Sequence, residues 1–121
     1  MFLKLNHQKL DIYTYSQAFV LECYKLTKIL PADEKFGMIS QIRRAALSVH
    51  LNIAEGASRK SHTERIRYYE IARGSIIEID AALDIASDLN YLSNYESQKL
   101  GELMINTFKV LSGLITVSPS K

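Results

Sequence analysis

Three observations predict an all-α fold, an antiparallel up-down-up-down four-helix bundle. Apolar residues recur at steps of three and four in four separate stretches, the spacing of one helix face. Only two prolines and five glycines occur in 121 residues, too few for the tight turns of an all-β fold. The stretches are joined by short connections, which force neighbouring helices to run antiparallel. A chain of this length forms one domain around one continuous core, here spanning 1–121. With 47% hydrophobic and 23% charged residues it has the balance of a folded globular protein rather than a disordered one.

The first helix is expected to start after Asp11, whose side chain can cap free amides, and to run to about Leu30 before Pro31. Ile12, Tyr15, Phe19, Cys23, Leu26 and Leu30 share its apolar face. The second follows Asp33, buries Ile39, Ile42, Ala46, Val49 and Ile53, and should end near Gly56 in a left-handed glycine cap. Ser61-His62-Thr63-Glu64 reads as a capping box opening the third helix, which continues through Tyr69, Ala72, Ile76, Ile79, Leu83 and Ala86 to about Asn90. Ser93-Asn94-Tyr95-Glu96 reads as a second box, before a fourth helix carrying Leu100, Leu103, Thr107, Leu111 and Leu114. Residues after Val117 are expected to fray.

Two helices carry more apolar surface than one bundle uses. Leu47, Leu51 and Ala54 lie off the main face of the second helix, and Ile105, Phe108 and Ile115 off that of the fourth. A lateral interface between copies would cover them, since large exposed apolar patches are uncommon on monomers. The plainer alternative is a broad core with some apolar residues tolerated at the surface.

The formal charge of +2 hides a strong sorting. Residues 35–73 hold eight basic and three acidic side chains, whereas residues 78–102 hold one basic and six acidic. In an up-down-up-down bundle one end collects Lys4, Lys9, Arg59, Lys60, Arg65, Arg67 and Lys121. The other gathers Asp33, Glu34, Asp84, Asp88 and Glu96. Arg65 and Arg67 stand near a helix start, against the helix dipole, which points to a partner such as a nucleic-acid phosphate. The plainer alternative is a solvated face.

Arg44, Ser48, Asn52, Glu55 and Arg59 recur at helical steps and form a polar stripe on the second helix. Antiparallel pairing with the third helix sets Arg44 opposite Ser75 and Glu78, and an Arg44–Glu78 ion pair in a register-fixing polar network follows. Gly74 beside it would allow the helices to approach closely.

Catalytic and metal motifs are missing. No Glu-x-x-His, His-Glu-x-x-His, Cys-x-x-Cys or glycine-rich phosphate loop occurs, and His7, His50 and His62 are scattered. No cofactor or metal is expected. Cys23, the single cysteine, sits on an apolar face as a core residue; a disulfide within the chain is excluded. There is no signal-peptide block at the start, and Glu102 and Lys109 make the last apolar stretch too polar to span a membrane, so the cytoplasm is the expected location. Arg44 and His50, with five residues between them, resemble the Arg-x(4–6)-His signature of HEPN-type ribonucleases, although Ala45 follows the arginine where a polar residue is usual.

The central segment carries a more specific resemblance. Ser40-Gln41-Ile42-Arg43-Arg44-Ala45-Ala46-Leu47-Ser48-Val49, Asn52-Ile53-Ala54-Glu55-Gly56 and Arg59 resemble the signature of the four-helix-bundle proteins named after ribosomal RNA intervening sequences. Pro31, Glu34, Phe36-Gly37, Gly74-Ser75 and Glu78 match as well, and the likeness spans about Ile12 to Leu114. It implies a homopentameric ring without enzymatic activity. It also implies kinship with accessory proteins of diversity-generating retroelements, which bind a reverse transcriptase and nucleic acid through a basic surface. The sequence therefore points to a non-catalytic oligomer that binds RNA or a nucleoprotein at its basic end. A purely structural or protein-binding oligomer is the first alternative, and an Arg44/His50 ribonuclease the second.

Overall fold

The computed structural model describes residues 2–117, Lys9 without its side chain. Four helices make up the fold: α1 (Asp11–Thr27), α2 (Met38–Ala57), α3 (His62–Asp88) and α4 (Gln98–Thr116). A 3-10 turn, Asn6–Lys9, precedes α1, and a second, Ala32–Glu34, lies between α1 and α2. Each helix packs on its neighbours in chain order and α1 closes against α4, the arrangement of an up-down-up-down bundle. Among the described residues there is no strand, and no helix is long and apolar enough to cross a membrane. The fraying expected after Val117 lies outside the described residues.

The apolar periodicity becomes the core as expected. Ile12, Phe19, Cys23 and Leu26 from α1 meet Ile42, Ala46, Val49 and Ile53 from α2, with Tyr69, Ala72, Ile76 and Ile79 from α3 and Leu100 and Leu111 from α4. Tyr15, Ile39, Leu83, Leu103 and Leu114 are half-buried at its margin. Burial pushes the Cys23 thiol up to about 12, so it stays protonated and packs as a small apolar group.

Polar groups are buried too. Thr107 and Thr27 turn their hydroxyls to carbonyls of their own helices, Leu103 O at 2.7 Å and Tyr24 O at 2.8 Å. Glu22 is buried where α1 meets the start of α4. Burial pushes its carboxyl upward, but Lys25 and Lys99, each 3.2 Å away, outweigh that and hold it below its ordinary value.

Several ends and caps differ from expectation. α1 stops at Thr27 rather than Leu30, and Asp11 is its first residue rather than its cap, favourably placed at the dipole's positive end. α2 starts at Met38, because the 3-10 turn after Pro31 takes up residues 32–34. Ser61 caps α3 by accepting from Glu64 N at 3.4 Å. The second box does not form: α4 begins at Gln98, and Glu96 Oε1 accepts from Gln98 N at 2.9 Å instead. Ser93 bonds back to Asn90 O.

Asn90, at φ 62°, closes α3 in a Schellman arrangement, its amide bonded to Ser87 O and that of Tyr91 to Ala86 O. Tyr91 then donates to Glu34 at 3.0 Å, tying the α3–α4 connection to the α1–α2 connection at the acidic end.

The two glycine expectations fail, each for a steric reason. Gly56 has no positive φ and does not cap α2; it is buried inside the helix, where a Cβ would stand 2.9 Å from the Tyr69 ring. Gly74 is exposed and permits no close approach, since a Cβ there would meet nothing within 4 Å.

Candidate functional site

The sharp corner between α2 and α3 gathers the basic side chains, and the local bonds explain how. α2 ends in a turn, with Ser58 N bonded to Ala54 O and Arg59 N to Gly56 O. The carbonyls of Arg59 and Lys60 then point outward unpaired by the helix. Arg65, one turn into α3, reaches back and donates to both, at 2.9 and 2.8 Å. Its position against the α3 dipole is thus accounted for by this corner.

Arg59 is engaged as well. It pairs with Glu55 at 2.6 Å, donates to Tyr68 Oη at 3.2 Å and stacks on the Tyr68 ring at 5.1 Å. Lys60 and Arg67 are exposed and make no side-chain hydrogen bond or ion pair among the described residues. The N-terminal segment lies against α2 near this corner, and Lys4 is exposed on it. The side chain of Lys9 and the whole of Lys121 lie outside the described residues. Of the residues expected at a basic face, three therefore present their charge to solvent, and two hold the corner together.

The polar stripe of α2 forms along the α2–α3 seam. Arg44 pairs with Glu78 and bonds Gln41, Ser48 Oγ receives the Ser75 hydroxyl at 3.0 Å, and Asn52 donates to Ser48. The ion pair is solvent-facing, its side chains 56% and 43% exposed, rather than interior. Such a pair is worth under about 1 kcal/mol. Arg44→Glu and Glu78→Arg should each cost roughly 0.5 kcal/mol, and the double swap should recover most of that in urea unfolding. A double mutant no more stable than either single one would remove the pairing.

His50 points elsewhere. It bonds Ser16 Oγ of α1 at 2.7 Å and stacks on Tyr13, and burial first, then His7, hold its imidazole below the ordinary value. Arg44 thus faces α3 and His50 faces α1, so one subunit does not bring them to one point. Among the described residues no group of His, Cys, Asp and Glu is placed to hold a metal ion.

Of the six surplus apolar residues, Leu47, Leu51 and Ile105 lie on the surface, Ala54 is half-buried, and Phe108 and Ile115 are half-buried against the core. Leu47 and Leu51 are exposed on α2, and Ile77 of α3 and Ile105 of α4 flank an apolar groove of about 290 Å³ with Met104 and Phe108.

The fold has a solved counterpart. A crystal structure of a protein with unknown function from the S23 ribosomal protein family, from Bacteroides thetaiotaomicron, superposes with a TM-score of 0.78 at 23% identity, covering 88% of this chain and 99% of that one. No curated protein matches the chain. A family model, described as 23S rRNA-intervening sequence protein, matches residues 8–113, from the first 3-10 turn through most of α4. With three helices and most of the fourth inside that match, the chain belongs to the 23S rRNA-intervening sequence protein family.

Proposed function

We propose that this protein is a non-catalytic, homo-oligomeric subunit, a pentamer in the assembly its resemblance implies, that holds RNA at its basic end. The observation that carries the reading is the corner between α2 and α3, where Lys60 and Arg67 reach solvent beside two arginines already fixed in place. A rigid platform that leaves cations unpaired suits phosphate contacts, which need charge more than base-specific geometry. One subunit offers few such contacts. Copies assembled around an axis would add their fields, and the exposed apolar residues on α2, α3 and α4 give them surface to join through. A nucleoprotein such as a reverse transcriptase with its RNA would present the same phosphates. The cytoplasm is the compartment in which this reading places it.

Two measurements test it. Light scattering of the purified protein should give a multiple of the 13.7 kDa chain; a monomer would remove the ring. Affinity for a short labelled RNA should fall steeply with salt. Lys60→Glu with Arg67→Glu should flatten that dependence by about 0.7 in logarithmic slope for each phosphate the protein no longer neutralises. Binding unchanged by salt and by both substitutions would leave an oligomer that binds protein alone. The RNA should stay intact throughout; cleavage abolished by His50→Ala, with the fold retained, would make the protein a ribonuclease instead.

A further inference from the structure

The N-terminal 3-10 turn is joined to the bundle through a ladder of rings rather than an apolar plug. His7 of the turn lies 5.6 Å, centroid to centroid, from Tyr13 of α1, and Tyr13 lies 4.4 Å from His50 of α2. Ser16 of α1 anchors the far end, its hydroxyl 2.7 Å from His50 Nδ1. The turn is internally tied: Leu5 N donates to Gln8 Oε1 at 2.9 Å, Gln8 N to Leu5 O and Leu10 N to His7 O. Leu5 and His7 line an open groove of about 370 Å³ with Leu51, Ala54, Glu55 and Ser58 of α2. Leu5 and Leu10 themselves remain exposed, so little apolar burial holds the segment down.

We propose that residues 5–10 form a strap over the Leu51–Ala54 face of α2, latched by the His7–Tyr13–His50 ladder while the His50 imidazole is neutral and released when it is protonated. Ser16 has one hydroxyl proton and two acceptors in reach, Tyr13 O at 3.1 Å and the imidazole. When that proton goes to Tyr13 O, the imidazole donates through Nδ1, and a further proton must enter at Nε2. There it creates a half-buried cation close to His7. The groups around the ladder offer that cation no free carboxylate: Tyr13 and Ser16 face it from α1, His7 from the turn, and Glu55, the one carboxylate lining the groove, is held by Arg59.

The sign follows from His50 being held below its ordinary 6.5 in the closed form. The latch is at full strength above that value and weakens as pH falls below it. Opening would uncover the rest of the half-covered Leu51–Ala54 face of α2.

Hydrogen–deuterium exchange of the full chain at pH 8 and pH 5, corrected for intrinsic rates, tests the proposal. Peptides spanning residues 5–13 should lose protection about tenfold on acidification, while those from the centre of α3 keep theirs. His7→Gln combined with His50→Gln should make the protection of the strap independent of pH. Because the buried position tolerates change less, His7→Gln alone serves as the second variant, and it should move release to lower pH. Equal protection of the strap at pH 8 and pH 5, or a loss unaltered by His7→Gln, would overturn the latch.

Discussion

Phe19→Ala should lower the stability of the fold by about 3–5 kcal/mol, a fall of roughly 10–20 °C in melting temperature. Phe19 is fully buried on α1, in a core that draws on all four helices. Truncation removes the transfer energy of the ring and leaves a cavity. The core it belongs to, with Cys23, Val49 and Ile53, is built from all four helices, so the space cannot close cheaply. Leu21→Ala, on the exposed side of the same helix, should change stability by less than about 0.5 kcal/mol. Calorimetry of the two variants side by side separates core packing from helix propensity. A loss under about 1 kcal/mol for Phe19→Ala would mean that α1 does not pack as described.

Gly56 and Gly74 should respond to the same substitution with opposite signs. Both lie within helices, where alanine is favoured over glycine by about 1 kcal/mol. At Gly74 an added Cβ meets nothing within 4 Å, so Gly74→Ala should stabilise by up to that amount. At Gly56 the Cβ would stand 2.9 Å from Tyr69 Cε1 and 3.0 Å from Tyr68 Cβ. The Tyr69 ring is buried and Tyr68 carries the Arg59 guanidinium, so neither yields freely. Gly56→Ala should lose about 1–3 kcal/mol of overpacking energy against that gain, and Gly56→Val more. Because the strain falls where α2 meets α3, it should also loosen the basic corner. Urea unfolding of the three variants checks the ranking. Stabilisation by Gly56→Ala would show that the two helices are not in close contact at this level.

These two glycines also show what periodicity can and cannot convey. A repeat at steps of three and four reports which face of a helix turns inward, and it placed Phe19, Ile53, Ile79 and Leu111 in the core. The same spacing, carried across one tight corner, sets the level of residues on α2 against those on α3, which is why the Arg44–Glu78 pair was legible. How closely two helices approach depends on side chains from both, so Gly56 looked like a cap and Gly74 like a contact. Caps fail similarly: Ser93 to Glu96 has the spacing of a capping box, but Tyr91 and Asn90 already commit that stretch to ending α3.

The corner cations were identifiable by type, not by duty. Nothing in the order of residues says that Arg65 folds back onto the Arg59 and Lys60 carbonyls while Arg67, two residues on, stays in solvent. The ladder of His7, Tyr13 and His50 was also invisible, because it joins residues from three elements. Isolated histidines carry no pattern until the helices that hold them are in place.

The sorting of charge along the bundle has a further consequence. In the proposed assembly each bundle is a rod whose sorted charge gives it a dipole along its length. Rods laid side by side in the same direction bring like ends together and repel. Added salt would relieve that repulsion while weakening any hold on a polyanion. Assembly and cargo would then respond to ionic strength in opposite senses, and a bound polyanion threading the positive ends would itself act as the counterion that lets the subunits stand together.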